Sequence, residues 1–321
     1  MRPSQPLRLC AVGAAAASLL ALSAGQTSAA PPTAQAPSTS APASAVTTAQ
    51  EQAARAVARS LADGTWRARL RHAALASDEV ALTALARHDG PSGLTNTLTA
   101  ADQRIAAAKG LDAAGVGSLL RLRLGDKSMR PALNAGVAPW VVPATAADDA
   151  TTAVAYDARG TAHTVDARRT PSRPVYVVDI DSTKALAAGL GVLNDQLHHY
   201  GLASAAPTAE HAAGSRAMSA AEGFWTTRIS AVELSDDEEP WIKGDAEIYT
   251  LVTGFGQDGK VRVDPVDMPY LDNDGTVYRP NQILVNWSNY KYNLADAVMM
   301  EEDGSTNYRD LAKALATALL T

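Results

Sequence analysis

Leu119-Leu120-Arg121-Leu122-Arg123-Leu124 is where the hydrophobic period of this chain changes from that of helices to that of strands. Leu120, Leu122 and Leu124 alternate with Arg121 and Arg123, which puts leucines on one face of a strand and arginines on the other. Downstream, Trp140-Val141-Val142 predicts a second strand. Residues 153–156 and 161–165 flank Asp157-Ala158-Arg159-Gly160, a hairpin signal. Residues 175–180, entered through Pro171 and Pro174, predict a further strand. Ser182 is placed to cap a helix running to about His199. Residues 117–202 thus form a small β-rich unit with a helix, followed by a small-residue connector at 203–221.

Upstream of the change the period is helical. Thr48 and Glu51 have the spacing of a capping box. Ala54, Val57, Ala58 and Leu61, then Trp66, Leu70 and Ala74, make an apolar stripe that packs helix on helix. Thr99 with Asp102 predicts the start of another helix that ends before Gly110. Residues 48–112 form this helical region. Residues 31–47, uncharged and built from Pro, Ala, Ser, Thr and a few similar small side chains, read as a tether. Residues 1–30 have the form of an export signal: Arg2 and Arg8, an apolar run from Leu9 to Ala24, and small residues before Ala29 and Ala30. That run is short of the roughly 20 apolar residues that span a bilayer. The expectation is a secreted, extracellular chain with no membrane span in its mature form. Cys10 is the single cysteine and lies within the run, so thiol redox chemistry and cysteine-ligated zinc are excluded from the mature protein.

The last hundred residues differ in kind. Residues 225–321 carry 17 acidic and 8 basic side chains, although the whole chain has a net charge of only -6. Nucleic acid is not an expected partner, because phosphate binding needs a clustered basic surface. Strand signals recur at 227–234, 246–253, 261–264, 283–287 and 295–300, with links rich in Asp, Gly, Pro and Asn. They predict an antiparallel β-sandwich over 222–321. Leu311, Leu315 and Leu319 then mark a terminal helix, with Asn307 as its cap. The fold class is therefore α+β, with an N-terminal helical region, a small β-rich unit and a C-terminal sandwich.

Familiar catalytic signatures fail on inspection. Gly254 with Gly259-Lys260 satisfies most of a phosphate-binding loop. Val261, however, replaces the hydroxyl residue that would hold Mg²⁺, and Asp258-Gly259 is better read as a hairpin turn. His198 and His199 diverge by about 100° on a helix and cannot easily share a metal. Asp179 and Asp181 lie on one face at a strand end, where paired carboxylates suit a cation, although capping is the commoner role. The acidic links point further. Asp236, Asp237 and Glu239 follow one strand, Asp245 opens the next, Asp272 and Asp274 form a second link, and Glu302 and Asp303 a third. Calcium takes six to eight hard oxygens from flexible loops. Loops two strands apart in a sandwich emerge at one end, and their repulsion favours a cation between them. An EF-hand is excluded: setting its glycine at Gly275 puts Tyr270 and Asn281 at ligand positions that need acids.

The run Asp236-Asp237-Glu238-Glu239-Pro240-Trp241-Ile242-Lys243-Gly244-Asp245-Ala246-Glu247-Ile248-Tyr249 resembles the domain of unknown function 3103 family of exported bacterial proteins. The Trp287 region, Glu301-Glu302-Asp303-Gly304 and the strand at 175–180 fit the same pattern. The resemblance implies export and an unassigned activity, and carries no catalytic residues. Three functions follow from the residues. The first is a non-enzymatic secreted protein whose sandwich binds calcium. The second is a sandwich that recognises a cell-surface or extracellular glycan through Trp241, with Trp287, Tyr270, Tyr278, Tyr290 and Tyr292 as further faces. The third is a hydrolase using a carboxylate pair. Glu301, Glu302 and Asp303 point to alternating faces, so it needs a partner acid from another loop.

Overall fold

Helix α1 (Ala45–Ser60) begins where Ser44 accepts a hydrogen bond from the Thr47 amide at 3.0 Å. The cap is thus Ser44, and Thr48 lies inside the helix. Its inward face is Val46, Ala49, Ala53, Ala54, Val57 and Ala58. Small side chains there let α1 approach its neighbours closely. Helix α2 (Gly64–Ala76) is capped by Asp63 and buries Trp66, Leu70 and Ala74. The Trp66 indole N–H donates to Ser60 at 2.8 Å, so the largest buried ring leaves no polar atom unsatisfied. The short strand β1 (Glu79–Ala81), helix α3 (Leu82–Asp89), helix α4 (Leu94–Ala108) and the single turn α5 (Ala113–Val116) complete this region. α4 starts after Gly93, five residues before the expected Thr99. Asp102 is no cap: it is buried in mid-helix, where one oxygen accepts from the amides of Leu119 and Leu120 and the other from Thr83.

The structure, a computed structural model, describes residues 44–204, 224–235, 240–244, 246–302 and 304–320. The expected signal at 1–30, most of the tether and most of the connector at 203–221 lie outside these residues. The described residues all belong to one compact unit.

Asp102 anchors the start of β2 (Leu120–Leu124), the strand foreseen from the alternating leucines. After the short helix α6 (Arg130–Asn134) come β3 (Trp140–Pro143), β4 (Thr152–Tyr156), β5 (Ala162–Asp166) and β6 (Val175–Ile180). They form a six-stranded sheet in the order β1-β2-β6-β3-β4-β5. The β3–β6 pair is parallel and the others antiparallel. Gly160, at φ 79°, closes the β4–β5 hairpin as its sequence predicted. Alternation explains how the sheet is buried on both faces. Leu120, Leu122, Tyr176, Val178 and Ile180 pack on the helices, while Val142, Ala155, Val165, Val175 and Val177 pack with Met129 and Ile242 on the other face.

Helix α7 (Ser182–His199) leaves directly from β6, and Asp181 rather than Ser182 is its cap, accepting from the Lys184 amide at 3.0 Å. Beyond it lie β7 (Thr226–Ile229), β8 (Ile248–Gly256), β9 (Val261–Asp267), β10 (Gln282–Asn286), β11 (Tyr290–Glu301) and helix α8 (Tyr308–Leu320). The C-terminal strands form two antiparallel sheets, β11-β8-β9 and β10-β7. Gly259 turns β8 into β9 with φ 78°. Asn307 caps α8, accepting from the amides of Arg309 and Asp310. The architecture is α+β: N-terminal helices, a central sheet, and C-terminal antiparallel sheets with a terminal helix on α7.

Candidate functional site

The carboxyl end of β6 opens into a cleft of about 510 Å³. Its wall is made by residues 77–79, the turn after β2, the β6–α7 junction at 179–183, the segment leading into β8, and residues 267–273 near the end of β9. Ligands in α/β layers commonly bind where a strand ends and a helix begins. Here the mechanism of placement is the alternation that opened the sequence. Arg121 and Arg123 face away from the helices, as does Asp179 on the adjoining strand, and Asp181 follows just beyond its end. The register sets Arg121 opposite Asp179 and Arg123 opposite Val177. Each arginine then pairs with the next acid along: Arg123 with Asp179 at 3.3 Å and Arg121 with Asp181.

Arg123 also ties the cleft to its far wall, donating to the carbonyl of Ile242 at 2.6 Å. Lys243 reaches Asp148 at 2.6 Å, and Trp241 donates its indole N–H to the carbonyl of Asp166 at 3.0 Å. Segment 240–244 is therefore clamped onto the second face of the sheet, where it shares Arg123 with Asp179. Burial there pushes the Asp179 carboxyl up to about 6, against the opposing pull of Arg123 and of the Ile180 amide. From the segment's other end Glu247 enters the same cleft and accepts a hydrogen bond from Ser182, the first residue of α7. Asp126, by contrast, is held below the usual carboxylate range by its bonds to Ser128. Eight acidic and four basic side chains of the described residues border the cleft. Arg123, Arg130 and Lys243 are each engaged with acids or carbonyls, which leaves the cleft net acidic.

Residues 50–321 match the family described as a protein of unknown function, DUF3103. The chain belongs to the DUF3103 family. No curated protein and no solved structure matches it. Membership bears out the resemblance carried by residues 236–249 and adds no activity to it.

The residues expected to hold a cation in this DUF3103 protein are dispersed in part. Asp272 borders the cleft, and Gly244 and Ala246, the neighbours of Asp245, do so as well. Asp236, Asp237, Glu239, Asp245 and Asp303 lie outside the described residues. Asp274 is exposed on the link whose backbone pairs with Leu234. Glu302 turns the other way: it is 4% exposed, with Lys109 at 2.5 Å and the Tyr308 hydroxyl on its second oxygen. Among the described residues, no group of three His, Cys, Asp or Glu side chains is arranged to hold a metal ion. Trp241 is half-buried against Gly125, where an added Cβ would stand 2.5 Å from its ring. No helix of the described residues is long and apolar enough to cross a membrane.

In the DUF3103 chain, sequence reasoning noticed Asp179 and Asp181 but ranked them below the acidic links. It missed Glu247 as a partner. A signal that points to Asp179 is in the sequence: two arginines alternating on a strand call for acids beside them, and Asp179 in the 175–180 run and Asp181 just after it supply them.

Proposed function

We propose that the mature chain acts outside the cell as a hydrolase, working by acid–base catalysis in the cleft at the end of β6. One observation carries this: Asp179 borders the cleft beside Arg123 at 3.3 Å, where burial raises its carboxyl to about 6. A general acid is most effective with a pKa near the working pH. Asp179 supplies the proton taken by the departing group. Glu247, brought from another element, accepts one from the attacking water. Arg123 orients Asp179 and does not touch the reacting atoms. The net acidic lining suits a neutral or cationic substrate and disfavours an anionic one.

Carboxyl NMR titration tests the reading directly. A midpoint near 6, absent from Asp179→Asn, is expected; a midpoint at the ordinary value near 4 would overturn it. The sign on stability follows from the raised pKa. The folded state holds this proton more tightly than the unfolded chain, so its contribution is full below about pH 4 and is lost as pH rises through 6. Wild type should lose stability relative to Asp179→Asn across that window.

Calcium is a second reading, supported by Glu247 and Asp272, acids from separate stretches of the chain that both border the cleft. Thermal unfolding in EDTA, then with rising Ca²⁺ or Mg²⁺, decides it. A calcium-selective rise that saturates is expected, equivalent to about 2.7 kcal/mol at one hundred times Kd. Asp272→Asn should shrink it. No shift with either ion removes calcium from the account.

A further inference from the structure

Ser182 stands where helix α7 begins, on the wall of the cleft, and its hydroxyl is spared the task its position suggests. Asp181 caps the helix instead, accepting from the Lys184 amide at 3.0 Å. The Ser182 hydroxyl donates to Glu247. A serine hydroxyl donating to a carboxylate is the arrangement in which a base can take its proton as the oxygen attacks. Asp181 is itself paired with Arg121, and the eighteen-residue helix behind Ser182 favours negative charge developing at this end.

Glu247 is held from outside the cleft. Its backbone carbonyl accepts from the Glu302 amide at 2.9 Å, and Ile248, the next residue, pairs with Glu301 where β8 begins. Glu302 is fixed in turn by Lys109 at 2.5 Å and by the Tyr308 hydroxyl. The carboxylate thus rides on the β8–β11 pair and the hydroxyl on the β6–α7 junction. Regular elements on both sides set the contact between them.

We infer that Ser182 is a nucleophile that attacks the carbonyl carbon of an uncharged or cationic carboxylic ester or amide, with Glu247 as its base; this rests on the hydrolase reading of the same cleft and adds a covalent step to it. The Ser182 oxygen bonds to the carbonyl carbon as the bond to the leaving alcohol or amine breaks. Glu247 takes the hydroxyl proton, and Asp179 protonates the leaving atom. Proton exchange with water then empties Glu247 and refills Asp179. A water next attacks the acyl-serine and gives Glu247 a proton. The bond to Ser182 breaks, and Glu247 returns that proton to the serine oxygen. The products are the carboxylic acid and the alcohol or amine, and both carboxyls end as they began. A phosphate or sulfate ester would instead bring negative charge to a lining with eight acidic and four basic side chains.

The test is labelling of the full chain with an uncharged alkyl fluorophosphonate, located by peptide mass spectrometry. The phosphonyl group is expected on Ser182, with fluoride displaced. Ser182→Ala should abolish the label, and Glu247→Gln should slow its formation at least tenfold. Thr183→Ala, one residue on and exposed, should label at the wild-type rate. Heat-unfolded wild type supplies the background. Label on another residue with Ser182 unmodified, labelling of Ser182 no faster than in the unfolded chain, or an undiminished rate in Glu247→Gln each overturns the assignment. An Asp179 midpoint near 6 without label on Ser182 also overturns it, and leaves the hydrolase reading with direct attack by water. An ordinary Asp179 midpoint beside a labelled Ser182 keeps the nucleophile and removes the general acid, so the two failures are told apart.

Discussion

Replacing Lys109 with Met is expected to destabilise the fold by about 3–5 kcal/mol, measured by chemical denaturation. Lys109 closes α4 and is 1% exposed, and its ammonium meets Glu302 at 2.5 Å. Glu302 also accepts from the Tyr308 hydroxyl and from the Gly304 amide at 3.1 Å. Around this pair the end of α4 is joined to the start of α8. Tyr308 donates its amide to the carbonyl of Lys109, Asn307 bonds that of Ala108, and Arg309 bonds that of Gly110. Deleting the ammonium leaves a carboxylate buried with neutral donors alone. The size of the loss comes from that stranded charge more than from the pair itself. The double variant Lys109→Met with Glu302→Gln should therefore recover a large part of the stability. A double variant as unstable as the single one would show that packing, and not charge, sets the cost.

Gly189→Ala is expected to destabilise by about 1–3 kcal/mol, against the usual sign for this exchange in a helix. Alanine ordinarily gains about 0.8–1.0 kcal/mol over glycine in a helix interior. At Gly189, on the face of α7 that meets α8, an added Cβ would lie 2.1 Å from the Tyr308 ring. At that distance the ring cannot stay in place and must move. Gly191 is the internal control: nothing lies within 4 Å of its Cβ position. Gly191→Ala should stabilise by about 0.5–1 kcal/mol. Opposite signs from one chemical change two residues apart isolate the contact. Because Tyr308 serves both sites, Gly189→Ala and Lys109→Met should combine non-additively. Equal effects at 189 and 191 would mean that α8 is not packed on α7 as described.

Much of the fold was legible in the residues. The switch of period at 119–124, the hairpin residues at 157–160 and 258–259, and the Leu311-Leu315-Leu319 stripe are local patterns, and each gave an element where expected. The misplaced details were helix starts. Thr48 with Glu51 and Thr99 with Asp102 carry good capping chemistry, but Ser44 and Gly93 precede the helices, and Asp102 bonds the start of β2 instead. β1, three residues long, has no period of its own, and its place beside β2 comes from pairing alone. The parallel β3–β6 pair was equally invisible, since alternation does not reveal strand direction.

The acids separate the two kinds of information most sharply. Read alone, the sequence determined that this is an α+β chain of the DUF3103 family, that its C-terminal third is acidic, and that Asp179 and Asp181 stand together at a strand end. Apart from the family, which rests on a likeness over residues 50–321, these are properties of composition or of neighbours within a few residues. What each carboxylate does was decided by the tertiary structure. Glu302 meets a lysine 193 residues away and leaves the acidic run it belongs to. Asp179 is raised by its burial in the folded chain, against the pull of Arg123 from the neighbouring strand, while Asp126 is lowered by its own turn. A carboxylate's charge and role depend on the water removed from it and the partners brought to it, and long-range folding sets both.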